Sequence, residues 1–245
     1  MKVYFAGISG HKKRLEYLKE FGANRLMLTF AEAKCYNKNM LRFKNSGFDI
    51  LFDSGAFSLW RRGISIDIKE YCNYLKMHSI EKYIVLDKIG NHNETMLNQR
   101  IMEDIGLNPI PVYHLNSPIE NLYEICEKYH YVCLGGTVGS HVKIRLKFFT
   151  EVFKHFPNHK FHGLGLTDTR IIRLFPFYSV DSTTWLIAAK NGKILDINGR
   201  QYSAPHEMDL KDKFSNTITF FAKYDSMNAK PSINDYINFW VNPVI

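Results

Sequence analysis

Two aspartates close apolar runs that lie far apart along the chain. Asp53 ends Phe48-Asp49-Ile50-Leu51-Phe52 and opens Asp53-Ser54-Gly55-Ala56-Phe57, while Asp181 ends Phe177-Tyr178-Ser179-Val180 and opens Ser182-Thr183-Thr184-Trp185. A carboxylate beside apolar strands is costly unless it is paired or put to use. Two such groups brought to one face supply a nucleophile and an acid/base for displacement at a sugar carbon. A third acid, Asp87, follows Tyr83-Ile84-Val85-Leu86 in the same way and precedes Lys88.

The elements that must position them are short. Strand-like runs fall at 3–8, 25–30, 50–53, 83–87, 110–114, 131–135, 161–165 and 178–181, with helix-patterned stretches at 67–78, 93–105, 118–129 and 141–156 between them. The last carries Val142, Leu146, Phe149, Val152, Phe153 and Phe156 at helical spacing, with Lys143, Arg145, Lys147 and Lys154 on a face read as solvated. Eight strands with helical crossovers give an α/β chain, a (β/α)8 barrel, with an open doubly wound sheet as the alternative. The barrel is expected to run to about residue 185. Segments 185–190 and 193–197 then read as a hairpin around Asn191-Gly192, and 198–245 as an irregular extension with one helix entered at Ser232.

In a parallel barrel, reacting groups sit where strands end. Those positions hold Asp53-Ser54-Gly55, Asp87-Lys88, His114-Leu115-Asn116, Gly135-Gly136-Thr137-Val138-Gly139, Gly163-Leu164-Gly165 and Asp181-Ser182. Glycines at such turns let backbone amides approach a planar ligand.

At 245 residues, with 45% apolar and 14% aromatic side chains, the chain suits one large domain with a sizeable core. No run approaches the eighteen or so apolar residues of a membrane span. The start, Met1-Lys2-Val3-Tyr4-Phe5-Ala6-Gly7, reads as a strand rather than a signal peptide, so a cytoplasmic protein is expected. Cys35, Cys72, Cys126 and Cys133 are too scattered for a disulfide framework or a zinc knuckle. A net charge of +8 suits a polyanionic partner and equally suits a merely soluble surface.

Five segments carry a resemblance: Asp53-Ser54-Gly55-Ala56-Phe57, Val85-Leu86-Asp87, Leu134-Gly135-Gly136-Thr137-Val138-Gly139, His162-Gly163-Leu164-Gly165 and Val180-Asp181-Ser182. Together, over roughly 50–200, they resemble the tRNA-guanine transglycosylase superfamily, barrels that exchange guanine for a 7-deazaguanine. The resemblance implies Asp181 as the nucleophile at C1′ and Asp53 as the acid/base for the exchanged bases. It implies Asp87 as acceptor for the base's N1 and exocyclic amine, with Ser54 beside the acid/base. Amides of Gly135 and Gly136 would meet O6, and His114 and Gly163 would border the base. No metal or other cofactor is implied.

The chain departs from the family pattern at Ala56, Ser58 and His114, and has Thr183-Thr184-Trp185 where the family has Pro-Thr-Arg. The zinc subdomain of the tRNA enzymes has no counterpart by cysteine spacing. The chain is therefore most similar to the compact DNA transglycosylases of bacteriophages and DNA-modification clusters. That implies DNA, or else tRNA, as substrate, a 7-deazaguanine as second substrate, and a homodimer as one possible assembly. Arg61, Arg62 and Lys88 would hold phosphates, and Trp60, Tyr113 and Trp185 would stack on a base or fill its vacancy. A base-releasing glycosidase and an inactive nucleic-acid-binding barrel are the rival readings. Taken singly, each aspartate also suits a capping turn, and the histidines His155, His159 and His162 read as a surface cluster without metal.

Overall fold

The computed structural model describes residues 1–9, 11–32 and 40–226. Seven parallel strands form one sheet: β1 (Lys2–Phe5), β2 (Arg25–Thr29), β3 (Asp49–Asp53), β4 (Val112–His114), β5 (Tyr131–Gly135), β6 (Lys160–Gly163) and β7 (Ser179–Ser182). Their order is β3-β2-β1-β7-β6-β5-β4. The two edges do not stay open. Tyr83 bridges Phe52 on the β3 side and Ile84 bridges Ile110 on the β4 side, both parallel. Four backbone hydrogen bonds of 2.8–3.0 Å run through this segment, from Phe52 N–H to Lys82, Ile84 to Phe52, Val85 to Ile110 and Ile110 to Tyr83. The fold is a (β/α)8 barrel whose fourth position is a two-residue bridge, and all eight strand positions are those read from the sequence.

Helices cover the outside. They are α1 (Lys12–Glu20), α2 (Met40–Lys44), α3 (Ala56–Trp60), α4 (Ile68–Met77), α5 (His92–Asp104), α6 (Ile119–Lys128), α7 (Val142–His155), α8 (Thr169–Leu174), α9 (Thr184–Lys190) and α10 (Leu210–Ser226). Their starts are chemically marked: Asp67 accepts the Lys69 and Glu70 amides at α4, and Asn91 accepts that of Glu94 at α5. The α7 stripe packs Phe149 and Phe153 against Phe161, Phe175 and Phe177, the ring pairs lying 5.0–5.7 Å apart. Each such ring contributes about 2–3 kcal/mol by burial.

Beyond residue 185 the sequence expectation is overturned. Segment 184–190 is helix α9, and Asn191-Gly192 ends it instead of turning a hairpin. The hairpin is the pair β8 (Lys193–Leu195) and β9 (Gln201–Ser203), turning through 196–200. In the described part of the extension, to residue 226, α10 packs on α1, α9 and β1. Its far end is tied down by Asp225, which accepts the Val3 amide at 2.8 Å and pairs with Arg25. The helix expected from Ser232, like Cys35, lies outside the described residues. No helix among the described residues is long and apolar enough to cross a membrane.

The barrel interior is polar where such barrels usually hold branched apolar side chains. Tyr4 on β1 hydrogen-bonds Asp49 on β3 at 3.0 Å and packs its ring 5.9 Å from His162 on β6. Only the concave side lets one side chain reach both strands. Tyr131 and Ser179 join the same layer, 2.6 Å apart.

Candidate active site

Strand alternation sends Asp49, Leu51 and Asp53 to one side of β3, and Ser179 and Asp181 to one side of β7. Ser179 therefore lies deep in the barrel and Asp49 at its N-terminal end, with Asp53 and Asp181 at its C-terminal mouth. Asp87 ends the bridge segment at the same level. The fully buried Cys133 of β5 sits among the three, and burial together with the charges of Asp53, Asp181 and Asp87 raises its thiol pKa well above the ordinary value. The pair read in sequence at distant strand ends thus shares one rim with Asp87.

Each carboxylate is held differently. Asp53 Oδ2 accepts the Gly55 amide at 2.9 Å in a turn that needs Gly55 at φ 72°. A Cβ at Gly55 would stand 2.5 Å from that of Ala31. Burial, reinforced by the charges of Asp181 and Asp87 and opposed by the Gly55 amide, pushes the Asp53 pKa up to about 7. A carboxyl so tuned exchanges protons near neutral pH. Asp87 Oδ1 lies 2.7 Å from His114 Nε2 and accepts the Thr95 hydroxyl at 3.0 Å. Asp181 Oδ1 accepts the Gly165 amide at 2.6 Å and lies 3.3 Å from His162 Nε2.

His162 corrects the sequence reading. It is not a surface histidine grouped with His155 and His159 but is fully buried beneath Asp181. Its Nδ1 lies 2.7 Å from Ser179 Oγ, which in turn meets Tyr131. The signal was its place in mid-strand between Phe161 and Gly163.

Other expected site residues divide. Ser54 is buried and accepts the Ala56 amide at 3.2 Å, so it shapes the turn beside Asp53. His114 is buried against Asp87. Gly135 is buried in β5, which leaves Gly136, at φ 75°, as the exposed member of the pair. Gly163 is buried, and a Cβ there would come 2.8 Å from Leu166. Its absent side chain makes room for packing. Arg61 and Arg62 are exposed just after α3. Lys88 is half-buried with its ammonium 3.9 Å from Glu94.

Two expected stacking residues are core. Trp185 is 0% exposed and donates Nε1–H to Ala6 O at 2.9 Å, and Tyr113 is buried with its hydroxyl on Ser117 O. Trp60, 58% exposed, stays available. It lines a cleft of ≈ 300 Å³ with Ala56, Ile64, Leu86, Asp87 and Lys88, at the lower end of the size range for small-molecule sites. Among the described residues no group of three or more side chains is arranged to hold a metal ion.

No model of a known protein family matches this chain, and no curated protein matches it in sequence. Solved structures do match in fold. The tryptophan synthase alpha chain from Legionella pneumophila subsp. pneumophila superposes with a TM-score of 0.58 at 9% identity, covering 94% of this chain and 92% of that one. A protein from Aquifex aeolicus VF5, described as a structural study of a project target, does so with a TM-score of 0.55 at 12% identity, covering 91% and 92%. Likeness at such identity establishes the barrel, and a barrel hosts many chemistries.

Proposed function

We propose that the protein exchanges guanine in nucleic acid, DNA in preference to tRNA, for a 7-deazaguanine base. The observation that carries this reading is the meeting of Asp53, Asp87 and Asp181 at one barrel mouth, with Asp53 titrating at about 7. Acid/base and nucleophile roles fall to carboxylates whose surroundings set them apart.

An Asp181 oxygen attacks C1′, the bond from C1′ to the base nitrogen breaks, and protonated Asp53 supplies the proton that guanine carries away. The incoming base then gives its proton to the Asp53 carboxylate and attacks C1′, releasing Asp181. Two displacements retain configuration, as in glycosidases whose carboxylates stand about 5 Å apart. The base would lie in the cleft between Trp60 and Asp87, where Asp87, steadied by Thr95 and His114, accepts from its N1 and exocyclic amine edge. Taking guanine out of a duplex costs a few kcal/mol.

The test is incubation with guanine-containing DNA or tRNA and a labelled 7-deazaguanine. Label in DNA supports the reading, and covalent capture of DNA should vanish in Asp181→Ala. Free guanine without incorporated label points instead to a base-releasing glycosidase. Binding with neither product points to an inactive module.

A further inference from the structure

A second cleft, of ≈ 570 Å³, opens beside the mouth between the loops after β6 and β7 and the turn of the β8–β9 hairpin. Four arginines line it: Arg145 from the first turn of α7, Arg170 and Arg173 from α8, and Arg200 from the hairpin turn. Asp168 is the one carboxylate among its lining residues, so four arginines against one aspartate leave an excess of three positive charges.

The arginines are not equivalent. Asp168 takes Arg170 through Nε at 3.0 Å and Nη2 at 2.9 Å, and Arg145 through Nη2 at 3.1 Å. Arg173 is spent on structure, donating to Tyr224 Oη, Asn198 Oδ1 and Ile197 O. Arg145 Nε is buried without a hydrogen-bond partner, and the exposed Arg200 guanidinium makes no hydrogen bond to any described residue. Forked donors in charge excess within a concave site match tetrahedral oxyanions.

The wall is built rather than incidental. Thr169 donates its hydroxyl to Asn198 O at 2.8 Å, and Gly199, at φ 80°, lies so close that a Cβ would stand 2.5 Å from Thr169 Cγ2. The cleft also shares its loops with the nucleophile. Thr167 follows by two residues the Gly165 whose amide holds Asp181, and Thr184 follows Asp181 by three.

We propose that this cleft binds phosphodiester groups of the nucleic-acid strand next to the nucleotide presented to Asp181. The proposal rests on the base-exchange reading for its choice of ligand. In sequence, Arg145 reads as part of a solvated face, and phosphate binding falls only to Arg61, Arg62 and Lys88. Among the described residues the denser basic site is here.

The test uses the full chain and a short fluorescent single-stranded DNA containing guanine, with affinity measured across a salt series. Arg170→Ala with Arg200→Ala removes two exposed guanidiniums, and melting curves report whether the fold survives. Affinity should fall about tenfold or more, and the salt slope should flatten by ~0.7 for each phosphate no longer neutralised. Lysine at both positions should restore part of the slope, and it serves as the readout if the alanine pair unfolds. Unchanged affinity and slope in either pair overturns the proposal. Inorganic phosphate, titrated in parallel, separates the sources: arginine-dependent phosphate binding without arginine-dependent DNA binding overturns the strand assignment. Arginine-dependent DNA binding without base exchange leaves the cleft standing while the exchange reading falls.

Discussion

His162 Nε2 stands 3.3 Å from Asp181 Oδ1 while its Nδ1 stands 2.7 Å from Ser179 Oγ, so one buried imidazole links the rim carboxylate to the barrel floor. The ring sets where the carboxylate points. His162→Asn takes the imidazole away from Asp181, and kcat for base exchange should fall by ~100-fold, as for misplacement of a reacting group, with KM little changed. Ser179 and Tyr131 lose a partner as well, so unfolding in urea should show a loss of about 2–4 kcal/mol. Wild-type kcat in this variant would remove the positioning role.

Asp53 gives the protein a pH signature. Its folded pKa of about 7 exceeds the ordinary carboxyl value of ~3.9. From about pH 4 to 7 the folded state holds a proton the unfolded chain has released, and this group's share of stability is lost as pH rises through 7. Asp53→Asn should therefore be more stable than wild type at pH 8 by about 1–3 kcal/mol, a range lowered for solvent at the mouth, and equal to it near pH 4. Denaturation at the two pH values checks this. Exchange activity of the wild type should fall as pH rises through 7, where Asp53 gives up the proton that guanine carries away, and be lost in the variant.

The turn that aims Asp53 leaves no space for a side chain. Gly55→Ala must fit a Cβ 2.5 Å from Ala31 at a positive φ. A loss of about 1–3 kcal/mol is expected, together with reduced kcat as the Asp53–Gly55 hydrogen bond opens. Thermal melting and single-turnover kinetics report the two effects separately.

Trp185 separates a core role from a ligand role. Trp185→Leu should cost about 3 kcal/mol through poorer packing and an unpaired Ala6 carbonyl, while DNA affinity of the folded fraction stays unchanged. Weaker DNA binding by the folded variant would restore the stacking role suggested by sequence.

The barrel was legible because its strand positions fall in short runs with buried apolar residues, set between helices with clear stripes. Asp53, Asp87 and Asp181 were legible for the same reason, since polar residues ending such runs stand out. The C-terminal part was not. Trp185, Leu186, Ala188 and Ala189 are buried between the barrel and α10 while Ile187 stays exposed, and so continuous an apolar run looks like a strand. Asn191-Gly192 then matches a hairpin turn as well as a helix end, with Gly192 at φ 66°. Phe214, Ile218, Phe221 and Tyr224 do carry the spacing of α10, a pattern hidden among neighbouring aromatics. The arginine cleft was out of reach because its members come from three elements joined only by the folded chain.

The closure at Tyr83 and Ile84 gives the barrel a seam. With only four backbone bonds across it, this joint is where the wall should part first, and its amides should exchange with deuterium ahead of those in β1 and β7. Asp53 and Asp87 flank that joint, so a brief breathing motion there would widen the gap between them and let a flat base slide in edge-on.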